Sequence, residues 1–125
     1  MAKAVLIVDD NALIRQALRE MFKREADFVV CGEAENGQEA IEKAQQLHPD
    51  LIVLDLSMPV MNGLEAAPVL KCLMPNVTLI MYTAFADSFA KREVLPKGIS
   101  ELVSKSESFD VLLRKARGVL HPRAA

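Results

Sequence analysis

The stretch Leu51 to Gly63, LIVLDLSMPVMNG, decides how this chain is read. Its first four residues are apolar and follow the Pro49-Asp50 break, the pattern of a strand buried on both faces. The run stops at a charge. Asp55 follows the last buried position directly, which puts its carboxylate where the strand leaves its sheet, and in open α/β sheets that carboxyl edge is where ligands bind.

An earlier strand repeats the pattern. Ala4 to Val8 (AVLIV) is apolar and ends in Asp9 and Asp10, just before a helical pattern begins. Neighbouring strands would bring three carboxylates within a few Å, where each pair at about 4 Å and an effective dielectric near 20 repels by about 4 kcal/mol. A divalent cation would relieve that repulsion. Few oxygen ligands, with room left for water and a phosphoryl oxygen, suit Mg²⁺ better than zinc or a full calcium cage.

Length and composition bound the rest. A chain of 125 residues is one domain by size and buries roughly two-thirds of its unfolded surface. Apolar residues make up 51% and charged residues 26%, and the net charge is −2, so no general attraction to nucleic acid or anionic lipid is expected. The opening MAKAVLIVDD is too short in apolar residues for a signal peptide or a membrane span, and a cytoplasmic location is the expectation. Cys31 and Cys72 have no CxxC spacing and are expected to be two reduced core thiols.

Taken in order, the chain alternates strand and helix. After strand 4–8, Asn11 caps a helix with Ile14, Ala17, Leu18, Met21 and Phe22 inward and a basic face of Arg15, Arg19, Lys23 and Arg24 that is expected to be solvated. Phe28 to Cys31 is a short strand and Gly32 to Gly37 a turn. A helix over Gln38 to Leu47 turns Ala40, Ile41, Ala44 and Leu47 inward, with His48 on the surface at its end. Strand 51–54 leads through a loop containing Pro59 and Asn62-Gly63 into a helix at 64–73, which Pro68 is expected to delay or bend. Val77 to Tyr82 is the fourth strand, followed by Thr83 and Ala84. Asp87 is expected to cap a short fourth helix, Ser88 to Leu95, ended by Pro96. Ile99 to Val103 is the fifth strand, with Lys105 just beyond it, and Ser108 is expected to cap a last helix carrying Leu112, Leu113, Ala116, Val119 and Leu120 inward. Five such units predict an α/β fold with a doubly wound parallel sheet.

Asp9, Asp10, Asp55, Thr83 and Lys105 thus stand at or just past the carboxyl ends of four strands. The chemistry that this set suits is phosphoryl transfer. Asp55 is the candidate nucleophile, since a carboxylate attacking phosphorus gives an acyl phosphate. Lys105 would pair with one phosphoryl oxygen and Thr83 would donate to another, with Mg²⁺ neutralising charge on the transferred group.

The pair VDD, the run LDLSMPVMNG, the dipeptide TA and the Lys after the fifth strand resemble the receiver domain of two-component response regulators, most of all receivers fused to helix-turn-helix regulators. The spacings agree: eight residues from Asp55 to Gly63, twenty-eight to Thr83, and twenty-two from Thr83 to Lys105. The resemblance spans residues 3 to 120 and implies a flavodoxin-like (βα)5 fold, strand order 2-1-3-4-5, with 1–120 as the receiver and 121–125 as a tail.

What it implies for function is a phosphorelay switch without turnover of an outside substrate. Asp55 would accept the phosphoryl group from a sensor histidine kinase or a phosphotransfer protein. Asp10, Asp55 and the Ser57 carbonyl would bind Mg²⁺ directly and Asp9 through water, while Thr83 and Lys105 sense the phosphoryl group. The output partner would be a separate protein or a fused domain, and an activated homodimer would form through the fourth helix, fifth strand and last helix. An alternative is that the chain is the N-terminal receiver cut from a DNA-binding transcription regulator; nothing in these residues reads DNA or enters a membrane by itself.

Three positions depart from the family pattern. Leu102 stands where an aromatic residue usually swings on activation, which leaves Phe85 and Phe89 as aromatic candidates whose plainer role is packing. Ser106 replaces the usual proline after Lys105, so a trans bond is expected there. Pro96 shortens the fourth helix. Ser57 and Phe85 occupy the positions that tune acyl phosphate lifetime in the family, and Phe85 is expected to screen attacking water. An aspartyl phosphatase would need a second acid where Ser57 stands, and no glycine-rich nucleotide loop is present.

Overall fold

In the computed structural model, which describes residues 2–84, 86, 87 and 92–121, the run Leu51–Leu54 is β3, the middle strand of a five-stranded parallel sheet. All four of its residues are buried. The sheet order is β2-β1-β3-β4-β5, with β1 Lys3–Val8, β2 Phe28–Ala34, β4 Thr78–Thr83 and β5 Glu101–Ser104. Helices α1 (Ala12–Lys23), α2 (Gly37–Leu47), α3 (Gly63–Leu73) and a C-terminal helix (Phe109–Leu120) cover it. This is the flavodoxin-like arrangement expected. Of the expected helix at 88–95, residues 88–91 lie outside the described set, and so do the start at its Asp87 cap and the roles given to Phe85 and Phe89; residues 92–94 are helical and run into a 3₁₀ turn, Leu95–Lys97.

Strand side chains alternate between faces, and the helices divide them accordingly. Leu6, Val8, Ile52, Leu54, Leu79 and Met81 pack with Ala40 and Ala44 of α2 and with Ala66, Ala67 and Leu70 of α3. Val5, Ile7, Leu51, Val53, Ile80 and Tyr82 pack with Leu18 and Phe22 of α1 and with Leu112 and Ala116 of the C-terminal helix. Parallel sheets require this double cover because both faces are apolar. Register then does the positioning: Val8 pairs with Leu54, Leu54 with Met81, and Thr83 with Ser104, so the residues that follow leave the sheet side by side.

Several local expectations are corrected. The second strand does not end at Cys31. Gly32, Glu33 and Ala34 pair with Leu6, Ile7 and Val8 after a register shift, which leaves Cys31 as the extra residue of a bulge with its thiol donating to the Val5 carbonyl. Its glycine and polar residues mimic a turn, yet β1 offers open pairing groups beside them. The third helix is not delayed by Pro68. Asn62 accepts from the Glu65 N–H at 2.9 Å and its own N–H donates to the Glu65 carboxylate at 3.1 Å, a reciprocal cap that starts α3 at Gly63. The fourth and fifth strands lie one or two residues later than predicted.

Smaller corrections concern single side chains. Asn11 caps α1 through Leu13 and Ile14, whereas Ser108 precedes the C-terminal helix without a side-chain cap bond. Both cysteines are free, but Cys72 is exposed and is no core thiol, and Leu47 is exposed too. His48 is a surface residue at the end of α2, in the left-handed conformation that ends the helix. Among the described residues no helix is long and apolar enough to cross a membrane.

Candidate functional site: an acidic edge bridged by one lysine

β1 and β3 are adjacent, and the ladders run one residue past the end of each: the Asp9 N–H donates to Ala34 of β2 and the Asp55 N–H to Val8 of β1, both at 3.0 Å. Asp9 and Asp55 therefore emerge together, both buried, with Asp10 exposed beside them. Carboxylate oxygens of the three residues lie within 4.8 Å of one another. Lys105 reaches them from the far side of the sheet. Its backbone N–H donates to the Thr83 carbonyl at 2.9 Å, and its Nζ lies 2.6 Å from Asp9 Oδ2 and 3.2 Å from Asp55 Oδ2. Thr83, fully buried, ends β4 between the two.

The charges do not balance, because three carboxylates face one ammonium. Burial, then the neighbouring Asp9, pushes the Asp55 carboxyl above its ordinary value, and Lys105 and a backbone bond from Ser57 only partly offset this. Burial opposes the charge on Lys105, but the bond to Asp9 and the charge of Asp55 outweigh it, and its pKa is raised. The donors are all oxygens, closely grouped and short of positive charge. That set fits a hard divalent cation such as Mg²⁺, held by a few protein oxygens.

The loop that presents Asp55 is braced from behind. A Cβ at Gly63 would lie 2.3 Å from the Asp55 carbonyl oxygen, so only glycine permits α3 to start this close, and the Gly63 N–H closes the loop onto Leu56 at 3.0 Å. Within that loop Val60 is exposed at φ 69°, a left-handed conformation that a β-branched side chain resists. Ser57 is exposed two residues beyond Asp55.

Asp9, Asp10, Asp55, Thr83 and Lys105 thus lie together at this edge, with Ser57 two residues beyond Asp55. No cis peptide occurs among the described residues, so the Lys105–Ser106 bond is trans, as expected from the missing proline. The turn is held by hydroxyls instead: Ser104 Oγ accepts from the Ser106 N–H at 3.1 Å and lies 2.7 Å from Ser106 Oγ. Leu102 is half-buried and packs on the α2 and α3 side of the sheet.

One residue at this edge was missed. Arg15 is not solvated: it donates to the Asp9 carbonyl at 2.8 Å and to Glu33 at 3.1 Å, and Arg19 also pairs with Glu33. Its signal was its place in the first turns of the helix after the acidic pair, with Glu33 and Glu35 as acids to meet it.

The model of the response regulator receiver domain matches residues 5–117. The chain belongs to that family. The transcriptional regulatory protein LnrK of Bacillus subtilis is 36% identical over 110 residues, covering 88% of this chain and 50% of LnrK. The chemotaxis protein CheY of Thermotoga maritima is 37% identical over 105 residues, covering 84% of this chain and 87% of CheY. The crystal structure of the response regulator domain of Thermotoga maritima CheB superposes with a TM-score of 0.88 at 30% identity, covering 99% of this receiver and 100% of that chain. This receiver spans about half the length of LnrK and a smaller share of the methylesterase relatives.

Proposed function

We propose that this receiver is a phosphorylation switch whose acceptor is Asp55, charged by the phosphohistidine of a sensor kinase or phosphotransfer protein. The observation that carries the reading is the Lys105 ammonium held between Asp9 and Asp55 at 2.6 and 3.2 Å. A lysine at that point can follow a negative group from the free carboxylate to the phosphorylated one. Asp10, Asp55 and the Ser57 carbonyl would hold Mg²⁺, with Asp9 acting through water. When bound, the ion neutralises charge on the transferred group.

The chain's own residues do the rest. Asp55, raised in basicity by burial and by Asp9, attacks phosphorus; the carboxylate oxygen to phosphorus bond forms as the donor's phosphorus to nitrogen bond breaks, and the leaving imidazole takes a proton from solvent. Lys105 then pairs with a phosphoryl oxygen and Thr83 donates its hydroxyl to another. Their shift moves the connection after β4, β5 and the C-terminal helix, the face through which an output protein, a fused domain or a second copy would be met. Residues 1–120 form the switching unit and 121–125 a tail, a division supported by the helix end at Leu120. Catalysis is limited to the receiver's own phosphorylation and dephosphorylation, inside the cytoplasm. An origin as the excised receiver of a DNA-binding regulator is not favoured, because similarity is shared among a transcriptional regulator, a chemotaxis protein and methylesterases.

The test uses acetyl phosphate and intact mass. Wild-type protein is expected to gain one phosphoryl group only with Mg²⁺ present, and Asp55→Asn to gain none. Equal gain in the variant contradicts the assignment.

A further inference from the structure

We propose that Arg15 is a positioning residue for the acidic edge: it fixes the plane of the Asp9–Asp10 peptide and thereby aims the Asp10 carboxylate at the cation site. This rests on the reading of that site given above. Asp9 is tied at every polar atom. Its N–H donates to Ala34, its Oδ1 accepts from the Asn11 N–H at 2.9 Å, and its Oδ2 meets Lys105. Its carbonyl accepts from Arg15 Nη1 at 2.8 Å. Asp10 is exposed, so the direction of its side chain rests on the backbone that carries it.

A peptide unit is planar, so holding the Asp9 oxygen also sets the Asp10 N–H and Cα. Arg15 is suited to the task because its guanidinium is a rigid fork. Nε donates to Glu33 at 3.1 Å and Nη2 lies 3.6 Å from Glu35, which leaves Nη1 turned to the Asp9 carbonyl. Glu33 is itself held from two more directions, by Arg19 at its carboxylate and by Lys43 at its carbonyl. The Arg15 side chain is only 13% exposed, so the fork is locked between α1, the end of β2 and the acidic loop.

Charge alone predicts the opposite behaviour from positioning. A fixed cation near the site repels a divalent ion, so its removal should tighten Mg²⁺ binding if Arg15 acts only through its field. If Arg15 positions Asp10, removal should weaken binding, and so should Arg15→Lys, which keeps the charge and loses the fork. Residues that orient metal ligands typically alter affinity by about ten- to a hundredfold.

The experiment is calorimetric titration of Mg²⁺ alone into wild type, Arg15→Lys and Arg15→Ala, with ¹⁵N spectra of the metal-free proteins. Both variants are expected to bind at least about tenfold more weakly, with the Asp10 amide signal displaced while amides around Arg117 stay in place. Should Arg15→Ala lose its fold, which the spectra report, Arg15→Gln replaces it. Wild type that binds Mg²⁺ while the variants bind equally or more tightly overturns the role of Arg15 and leaves the site standing. Wild type that fails to bind Mg²⁺ overturns both.

Discussion

Lys105 and Arg117 each sit between two carboxylates, and their settings are opposite. Lys105 bridges Asp9 and Asp55 at the carboxyl edge of the sheet, with both acids buried. Arg117 of the C-terminal helix bridges Glu25 and Asp27 in the connection between α1 and β2, at 2.6 and 2.8 Å, half-exposed and 5.7 Å above the Phe28 ring. At the second cluster the Arg117 hydrogen bond is the dominant influence and holds Asp27 below its ordinary value. At the first, burial and then the charge of Asp9 leave Asp55 above its own, although Lys105 pulls the other way. A cation between two acids is therefore not a signature of either role. What separates a staple from a reactive edge is whether the acid is left satisfied or short of positive charge.

Removing each cation sharpens the contrast. Lys105→Met leaves two buried carboxylates without their ammonium and is expected to lose about 3 kcal/mol of metal-free stability in urea denaturation. Mg²⁺ should return much of that loss, since it supplies charge to the same oxygens. A loss unaffected by Mg²⁺ would mean that Lys105 is a plain structural staple.

The acid limb separates the clusters by sign. Because the folded pKa of Asp55 lies above the ordinary 3.8, the native state holds its proton more tightly than the unfolded chain, and stability falls as pH rises from about 3.8 through the folded value. For Asp27 the folded pKa lies below 3.8, so its stabilisation is present above that point and lost as pH falls through the folded value. In metal-free urea melts against pH, Asp55→Asn is expected to flatten the first slope and Asp27→Asn the second. Both variants changing the same limb would erase the distinction.

The smallest effect belongs to the staple. Arg117→Ala is expected to lose about 1 kcal/mol or less, as exposed ion pairs do, without changing Mg²⁺ binding. A loss matching that of Lys105→Met would break the comparison.

Much of this was legible in the sequence, for a physical reason. Each buried strand is a short apolar run, so the first polar residue after it, Asp9, Asp55 or Thr83, has to mark the sheet edge. Lys105 is one step further and is tied back by its own N–H to Thr83. What stayed hidden depends on pairing between distant segments. Gly32 to Ala34 reads as a turn until β1 is laid beside it, and Arg15 reads as surface until that longer strand brings Glu33, eighteen residues away, into reach. Pro68 misled for another reason: the stop signal was visible, but Asn62 and Glu65, the reciprocal cap three residues apart, spelled out a start that outweighs it.

With Asp55 as the acceptor, the acidic edge has to deliver one particular oxygen donor to phosphorus. Reduction with borohydride after treatment with acetyl phosphate and Mg²⁺, followed by peptide mapping, reads that atom directly, because an acyl phosphate on aspartate is converted to homoserine. Homoserine is expected at position 55, with Asp9 and Asp10 unaltered. Homoserine at position 9 or 10, or at no position in protein that still binds Mg²⁺, would contradict Asp55 as the acceptor.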